Sequence, residues 1–166
     1  MSGADDLLLA PHTGTAPVPA GSFADVRVGA GSLLQLQGGA YAMRSLRVAR
    51  GGRVVCANAC RIGVLGSVRL GRGATLGAAS PQRASTARVD VAAAGPEAAF
   101  VARRRANVSA TIFVPAGAVV LGSLGSHRGA FIGRAVVVGR TRQCAPPAPS
   151  DPLVRLGGID EWEPQR

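Results

Sequence analysis

Residue types that readily move protons, attack carbonyls or hold metals are scarce in this 166-residue chain, which has two histidines and three cysteines. His127 stands in "GSLGSHRGAFIG", beside Arg128. A histidine acting as general base takes a proton from a substrate hydroxyl or amine and needs a second group to orient its ring. No carboxylate lies within twenty residues of His127 on either side. The glycine-serine context reads as a corner, and His127 as a corner residue without a catalytic role. The other histidine, His12, belongs to the leader. Cys56 and Cys60 have the spacing of half a zinc site, but no second cysteine or histidine pair accompanies them, so no metal is expected. Two readings stay open for the pair. One is a buried thiol at Cys56; the other is a disulfide to Cys60 across a corner, which requires an oxidising compartment.

Charge is more abundant. All 19 basic residues are arginine, a bias that GC-rich coding explains. Between Val26 and Arg142 there are 17 arginines against Asp90 and Glu97, a formal charge of +15. Such a body attracts polyanions: acidic polysaccharide, nucleic acid or anionic lipid. Aromatics make up only 4% and do not interleave with the arginines, so bases would find nothing to stack on. No sequence-specific nucleic-acid partner is expected.

The elements that must hold these side chains repeat. Two branched apolar residues flank an outward one in Val26-Arg27-Val28, Leu46-Arg47-Val48, Val68-Arg69-Leu70, Val89-Asp90-Val91, Ile112-Phe113-Val114 and Val136-Val137-Val138, at spacings of 20, 22, 21, 23 and 24 residues. Gly31, Gly51, Gly73, Gly95 and Gly117 punctuate the first five. Weaker strands fill each period, marked by Leu34, Val54, Leu76, Ala98 and Val120, and two residues on by Leu36, Cys56, Ala78, Phe100 and Gly122. A third set, Ala42, Val64, Ser85, Val108 and Ile132, precedes the next repeat. Alternation with glycine at the corners leaves no helical register. The expected fold is all-β: a single right-handed, three-sided parallel β-solenoid of about six coils of 20–24 residues.

Layers about 4.8 Å apart leave a narrow interior. That accounts for the small and branched core residues and for Trp162, the only tryptophan, lying in the tail. Residues 1–22 read as a flexible leader or N-terminal cap, 23–143 as the solenoid, and 144–166 as a Pro-rich linker and C-terminal tail or cap. Within that tail, Leu153, Val154, Leu156, Ile159 and Trp162 are expected to cap the open coil end or to dock on a partner. "GAASPQRASTAR" reads as a corner that bulges outward.

Stacking is expected to align Val48, Leu70, Val91, Val114 and Val138 in one inward column, and Arg27, Arg47 and Arg69 in one outward column, with Arg50 and Arg72 repeating one corner further on. In water, neighbouring like charges at that spacing repel by only about 1 kcal/mol per pair, which a fold tolerates. The row is an expected anion-binding strip, spaced for a regular polyanion such as acidic polysaccharide. Val136, Val137 and Val138 are the expected assembly edge, because unpaired N–H and C=O groups on a terminal coil pair with another copy unless capped.

An enzyme would need more. In hexapeptide-repeat acyltransferases, where a histidine such as His127 would serve as base, an apolar residue recurs at about every sixth position. Here Ile62, Val68 and Ala74 hold that phase, while Ser80 and Thr86 lose it. No coenzyme A site or other cofactor is expected. Ice binding would need flat ranks of threonine, and Thr75, Thr86 and Thr111 fall out of register. The opening "MSGADDLLLAPHTG" has acids where an export signal would be basic. The best apolar stretch, Ala116 to Gly139, is broken by His127, Arg128 and Arg134, so no transmembrane segment is expected. Both features point to a cytoplasmic chain.

The stretches "VPAGSFADVRVGAGSLLQLQGGAYAMRSLRVARGGRVV" and "ANVSATIFVPAGAVVLGSLGSHRGAFIGRAVVVG" carry G-G-x-Y and G-A-F-I-G elements. Over about residues 18–139 they resemble repetitive β-helix proteins of high-GC bacteria such as myxobacteria. That resemblance implies a secreted or surface protein, against the cytoplasmic reading of the leader. A short solenoid between Pro-rich tails also resembles bactofilins, the polymer-forming cytoskeletal proteins. It implies a non-enzymatic scaffold that self-associates. The alternatives are a surface module binding acidic polysaccharide and an acyltransferase using His127.

Overall fold

Strand pairing in the computed structural model turns the repeat into a stack of coils. The structure describes residues 5–93, 98–139 and 143–145. The first coil holds β1 (Leu7–Leu9), β2 (Thr15–Val18) and the first half of β3 (Gly21–Val28). The rest of β3, β4 (Leu33–Leu36) and the first half of β5 (Gly39–Val48) make the second. The rest of β5, β6 (Arg53–Cys56) and β7 (Cys60–Val64) make the third; β8 (Val68–Leu70), β9 (Thr75–Ala78) and β10 (Ala87–Val91) make the fourth. β11 (Ala98–Ala102), β12 (Asn107–Ser109) and the start of β13 (Thr111–Leu121) form the fifth. The end of β13, β14 (Ser126–Arg128) and the start of β15 (Phe131–Val138) form the sixth, and the end of β15 with β16 (Gln143–Ala145) begins a seventh. Every pairing between these strands is parallel. The chain is an all-β, three-sided parallel β-solenoid of about six turns.

The three sides follow from the pairing. Side A runs from β1 through the later halves of β3 and β5, β8, β11 and the ends of β13 and β15. Side B is the ladder β2, β4, β6, β9, β12, β14, β16. Side C stacks the starts of β3 and β5 on β7, β10 and the starts of β13 and β15. The strands are short and alternate, so each layer contributes about two side chains per side to the interior.

Layer spacing in sequence is less even than the repeat suggests. On side A the stacked residues Leu7, Val26, Leu46, Val68, Phe100, Val119 and Val136 lie 19, 20, 22, 32, 19 and 17 residues apart. The long step contains a 3₁₀ turn, Pro81–Thr86, at the corner where the sequence pattern placed an outward bulge. This step corrects the expected inward column. Val28, Val48, Leu70, Ala102, Leu121 and Val138 stack together on side A. Val91 and Val114 belong to a different column on side C, with Met43 and Val64. Side C reproduces the apolar–outward–apolar pattern of side A, so the insertion went unseen and two columns were read as one. For the same reason Phe100 and Val120 lie on side A and Val108 on side B, away from the series in which the repeat placed them.

The solenoid also begins earlier than expected. Residues 1–22 were read as leader or cap, yet β1 and β2 are full partners of β3 and β4. At the far end β16 adds a strand on side B, and the apolar tail patch from Leu153 to Trp162 lies outside the described residues.

One corner fixes the backbone. Three residues beyond each inward side-A residue stand His12, Gly31, Gly51, Gly73, Arg105 and Leu124, all at φ between 57 and 70°. Only glycine adopts this left-handed conformation cheaply. Coils two to four use it; the first, fifth and sixth do not, although the same stacked amide bond spans both kinds of corner, as in Gly51 N–H to Arg72 O at 3.0 Å and Arg105 N–H to Ser123 O at 2.8 Å. Gly117, expected at such a corner, lies inside β13, and Gly95 lies outside the described residues.

The corrected register is testable by cross-linking. Arg69 and Val101 are Cα partners on adjacent layers, within reach of a disulfide, whereas the pattern of the sequence would pair Arg69 with Asp90. Oxidised Arg69→Cys/Val101→Cys should cross-link, read as a mobility shift and a loss of about 2 Da in mass on forming one disulfide. Arg69→Cys/Asp90→Cys should not. The opposite pattern would restore the simple repeat.

Candidate functional site

Four features remain after the core is accounted for. The first is His127, which the structure moves from a corner to the interior. It lies on β14, with Val108 before it and Cys144 after it in the side-B register. It is 2% exposed. Nε2 sits 3.3 Å from the Gly122 carbonyl oxygen, to which it can donate, and the ring meets Phe131 edge-on at 6.3 Å between centroids. Nδ1 is buried without a hydrogen-bond partner. Burial lowers its pKa, with the Gly122 carbonyl bond partly opposing. A base for acyl transfer needs an approachable nitrogen and an orienting group. This imidazole is sealed in, and its described polar contact is a backbone carbonyl.

The second feature is the Cys56–Cys60 disulfide, which settles the two readings left open for the pair. It spans a four-residue separation with Cα atoms 6.0 Å apart and ties the end of β6 to the start of β7. Both cysteines are buried. On the chain-entropy account a loop this short contributes about 2 kcal/mol.

The third feature is an open groove of about 830 Å³ outside side C. Its floor forms because the outward column there starts with small residues, Ser22, Ala42 and Gly63, before Asp90 and Phe113. Phe23, Leu65 and Pro115 supply apolar walls, with Arg44, Arg61 and Arg88 alongside. These arginines are engaged. Arg61 and Arg88 reach Asp90 at 2.7 and 2.8 Å, and Arg88 also lies 5.6 Å from the centre of the Phe113 ring. Arg44 and the Ser45 hydroxyl hold the Asp25 carboxyl well below the usual carboxylate range. The charged groups beside the groove are thus paired, and Ser22 adds an exposed hydroxyl to its floor. Nothing in the sequence marked it, because its floor is made of residues too small to stand out.

The fourth feature is the exterior of side A and its ends. Arg27, Arg47 and Arg69 stand directly above one another, as the sequence led one to expect. Arg50 and Arg72 recur at the next corner, where Gly31 N–H bonds Arg50 O and Gly51 N–H bonds Arg72 O. The same ladder adds Arg104, through Gly73 N–H to Arg104 O at 3.1 Å. Arg104 was missed because Arg105 takes the corner position that glycine holds in the three preceding coils. The ion pairs among the described residues are Arg44–Asp25, Arg61–Asp90 and Arg88–Asp90, and none includes an arginine of either row.

At the C-terminal end Val136 and Val138 occupy inward columns yet are 41% and 46% exposed, and Val137 is 55% exposed. Gly139 donates back to Leu121 O at 2.8 Å, whereas Leu46, in the column of Val136, donates forward to Ser67 O at 3.1 Å. Alternation along the strand therefore turns the backbone of Val137 toward β13, and the N–H and C=O of Val136 and Val138 toward the open side. Of the three residues expected as an assembly edge, Val136, Val137 and Val138, the first and last turn their backbone groups away from β13. Among the described residues no helix is long and apolar enough to cross a membrane. Compared with protein-family models, curated proteins and solved structures, the chain matches none.

The buried histidine generates a prediction. The fold favours the neutral ring, so protons bind preferentially to the unfolded chain below the ordinary imidazole value of 6.5. Stability should be full above that value and fall as the pH drops below it, read as a falling midpoint of thermal unfolding. His127→Leu should flatten the profile in this range. An unchanged slope in the variant would show that other groups carry it.

Proposed function

We propose that the chain is a non-enzymatic structural module that stacks head to tail into a polymer, one solenoid continuing the next. The observation that carries this reading is where large apolar side chains are exposed. Leu8 lies on the first coil, and Ile132, Val136, Val137 and Val138 lie on the last strand; Leu65 is the remaining described case. Soluble surfaces place such residues singly, as with Leu8 and Leu65, and a cluster of four on one terminal strand is what an interface leaves uncovered.

Continuing the register supplies the partner. The layer beyond Val136, Val137 and Val138 would be Leu7, Leu8 and Leu9 of a second copy, whose β1 has β3 as its only described strand partner. At the same offset Arg134 would meet Asp5 of that copy, opposite charges on neighbouring layers. Such a contact is heterologous and does not close, so it propagates as a filament. The resemblance to bactofilins supports the same reading as an architectural analogy.

The experiment is sedimentation and negative-stain microscopy across concentration. The wild-type protein should form filaments. Val138→Pro removes a donor from the open side and should weaken association by about tenfold or more, roughly 1.4 kcal/mol, while leaving the melting of the monomer nearly unchanged. Val137→Pro removes a bond to β13 instead and should lower the melting midpoint. A strictly monomeric wild type at high concentration would sink the proposal.

A further inference from the structure

We infer that the two arginine rows beside side A form a binding site for a linear acidic polysaccharide lying along the solenoid axis. Arg27, Arg47 and Arg69 occupy coils two to four, and Arg50, Arg72 and Arg104 occupy coils three to five. The rows run parallel, offset by one layer, with successive guanidinium groups on layers about 4.8 Å apart.

Three observations point to a ligand of this shape. The strip between the rows is kept low, because a Cβ added at Gly71 would meet the backbone of Ala49 and Arg50 at 2.8–2.9 Å. Gly29, Ala49 and Gly71 keep the strip low through coils two to four, and Arg103 follows in the same column in coil five. Among the described carboxylates, Asp25 is held by Arg44 and Ser45 with Arg27 nearby, Asp90 is held by Arg61 and Arg88, and Asp6 accepts the Asp25 N–H, while no ion pair includes an arginine of either row. The rows therefore keep their charge for an external anion. Finally, the row of Arg27 continues into Val101 and Val120, with no ring on which a base could stack. Regular charge without stacking partners fits a sugar chain carrying one carboxylate or sulfate per residue better than it fits nucleic acid. The planar guanidinium fork pairs bidentately with either anion. The site lies on one solenoid and does not require the proposed polymer.

The test is titration of the full chain with an oligogalacturonate, with heparin and with single-stranded DNA, at several salt concentrations. Binding to the two polysaccharides should weaken steeply with salt. It should fall at least tenfold in Arg27→Gln/Arg47→Gln/Arg69→Gln, and further when Arg50, Arg72 and Arg104 are also changed to Gln. The charge-matched variant Arg44→Gln/Arg61→Gln/Arg88→Gln should change it about twofold or less, since long-range screening leaves only a weak effect. Circular dichroism confirms folding, and Arg47→Gln alone, in the middle of its row, provides the comparison if the triple variant does not fold. Equal losses in the two triple variants would reduce the site to net charge. Tighter binding of DNA with the same arginine dependence would assign the rows to nucleic acid. Either result overturns the inference.

Discussion

The parallel backbone ladder between layers is the constraint on which everything else in this molecule depends. It holds each residue directly over its counterpart at about 4.8 Å, so any property of a position is multiplied along a column. Apolar positions become a continuous core, from Val26 through Leu46 and Val68 to Phe100, each essentially without solvent exposure. A corner that turns once turns in every coil, which is why non-glycine residues such as Arg105 and Leu124 are held in a conformation they would otherwise avoid. Charge is multiplied too. Two rows of arginine exist because the ladder allows no offset between layers, and their mutual repulsion is small enough in water for the stack to bear.

The same ladder explains why the ends differ from the middle. An interior layer satisfies its N–H and C=O groups above and below. A terminal layer satisfies one side only, and its inward residues lose their cover, as Val136 and Val138 do. The first coil is partly protected by its composition: Pro17 in β2 removes a donor, and β1 is only three residues long. The last described strand on side A has no such device. The molecule thus presents a polar, arginine-lined flank and an apolar end, two surfaces produced by one geometry.

Much of the fold was legible because coils two to four obey the simplest version of that geometry. Val26, Leu46 and Val68 recur at nearly equal intervals, and Gly31, Gly51 and Gly73 mark one corner. Legibility ended at the 3₁₀ insertion. It lengthens the step from β7 to β10 to 27 residues, against 21 for the step before, and the rest of the shift falls between β10 and β11, while Val89-Asp90-Val91 on side C imitates the motif of side A, so the count stayed regular as the side changed. The first coil was hidden by composition: Asp5, Asp6 and Pro17 suggest a leader, although Leu7, Leu9 and Val18 already take core positions. His127 misled for a related reason, since glycine and serine around it imply a corner, whereas its alternate position on β14 puts the ring inside. The paired arginines were visible from the motif, but Arg104 and the groove on side C depend on which layers are neighbours. Spacing along one chain does not carry that information.

Amide hydrogen exchange on the last described strand of side A measures the open edge most directly. In dilute, unassembled protein the amides of Val136 and Val138 should exchange rapidly, while those of Val137 and Gly139, which point toward β13, should be protected. On assembly the first pair should become protected as well. Slow exchange of Val136 and Val138 in the isolated chain would mean that the edge is already covered, and would contradict a solenoid that continues from one copy to the next.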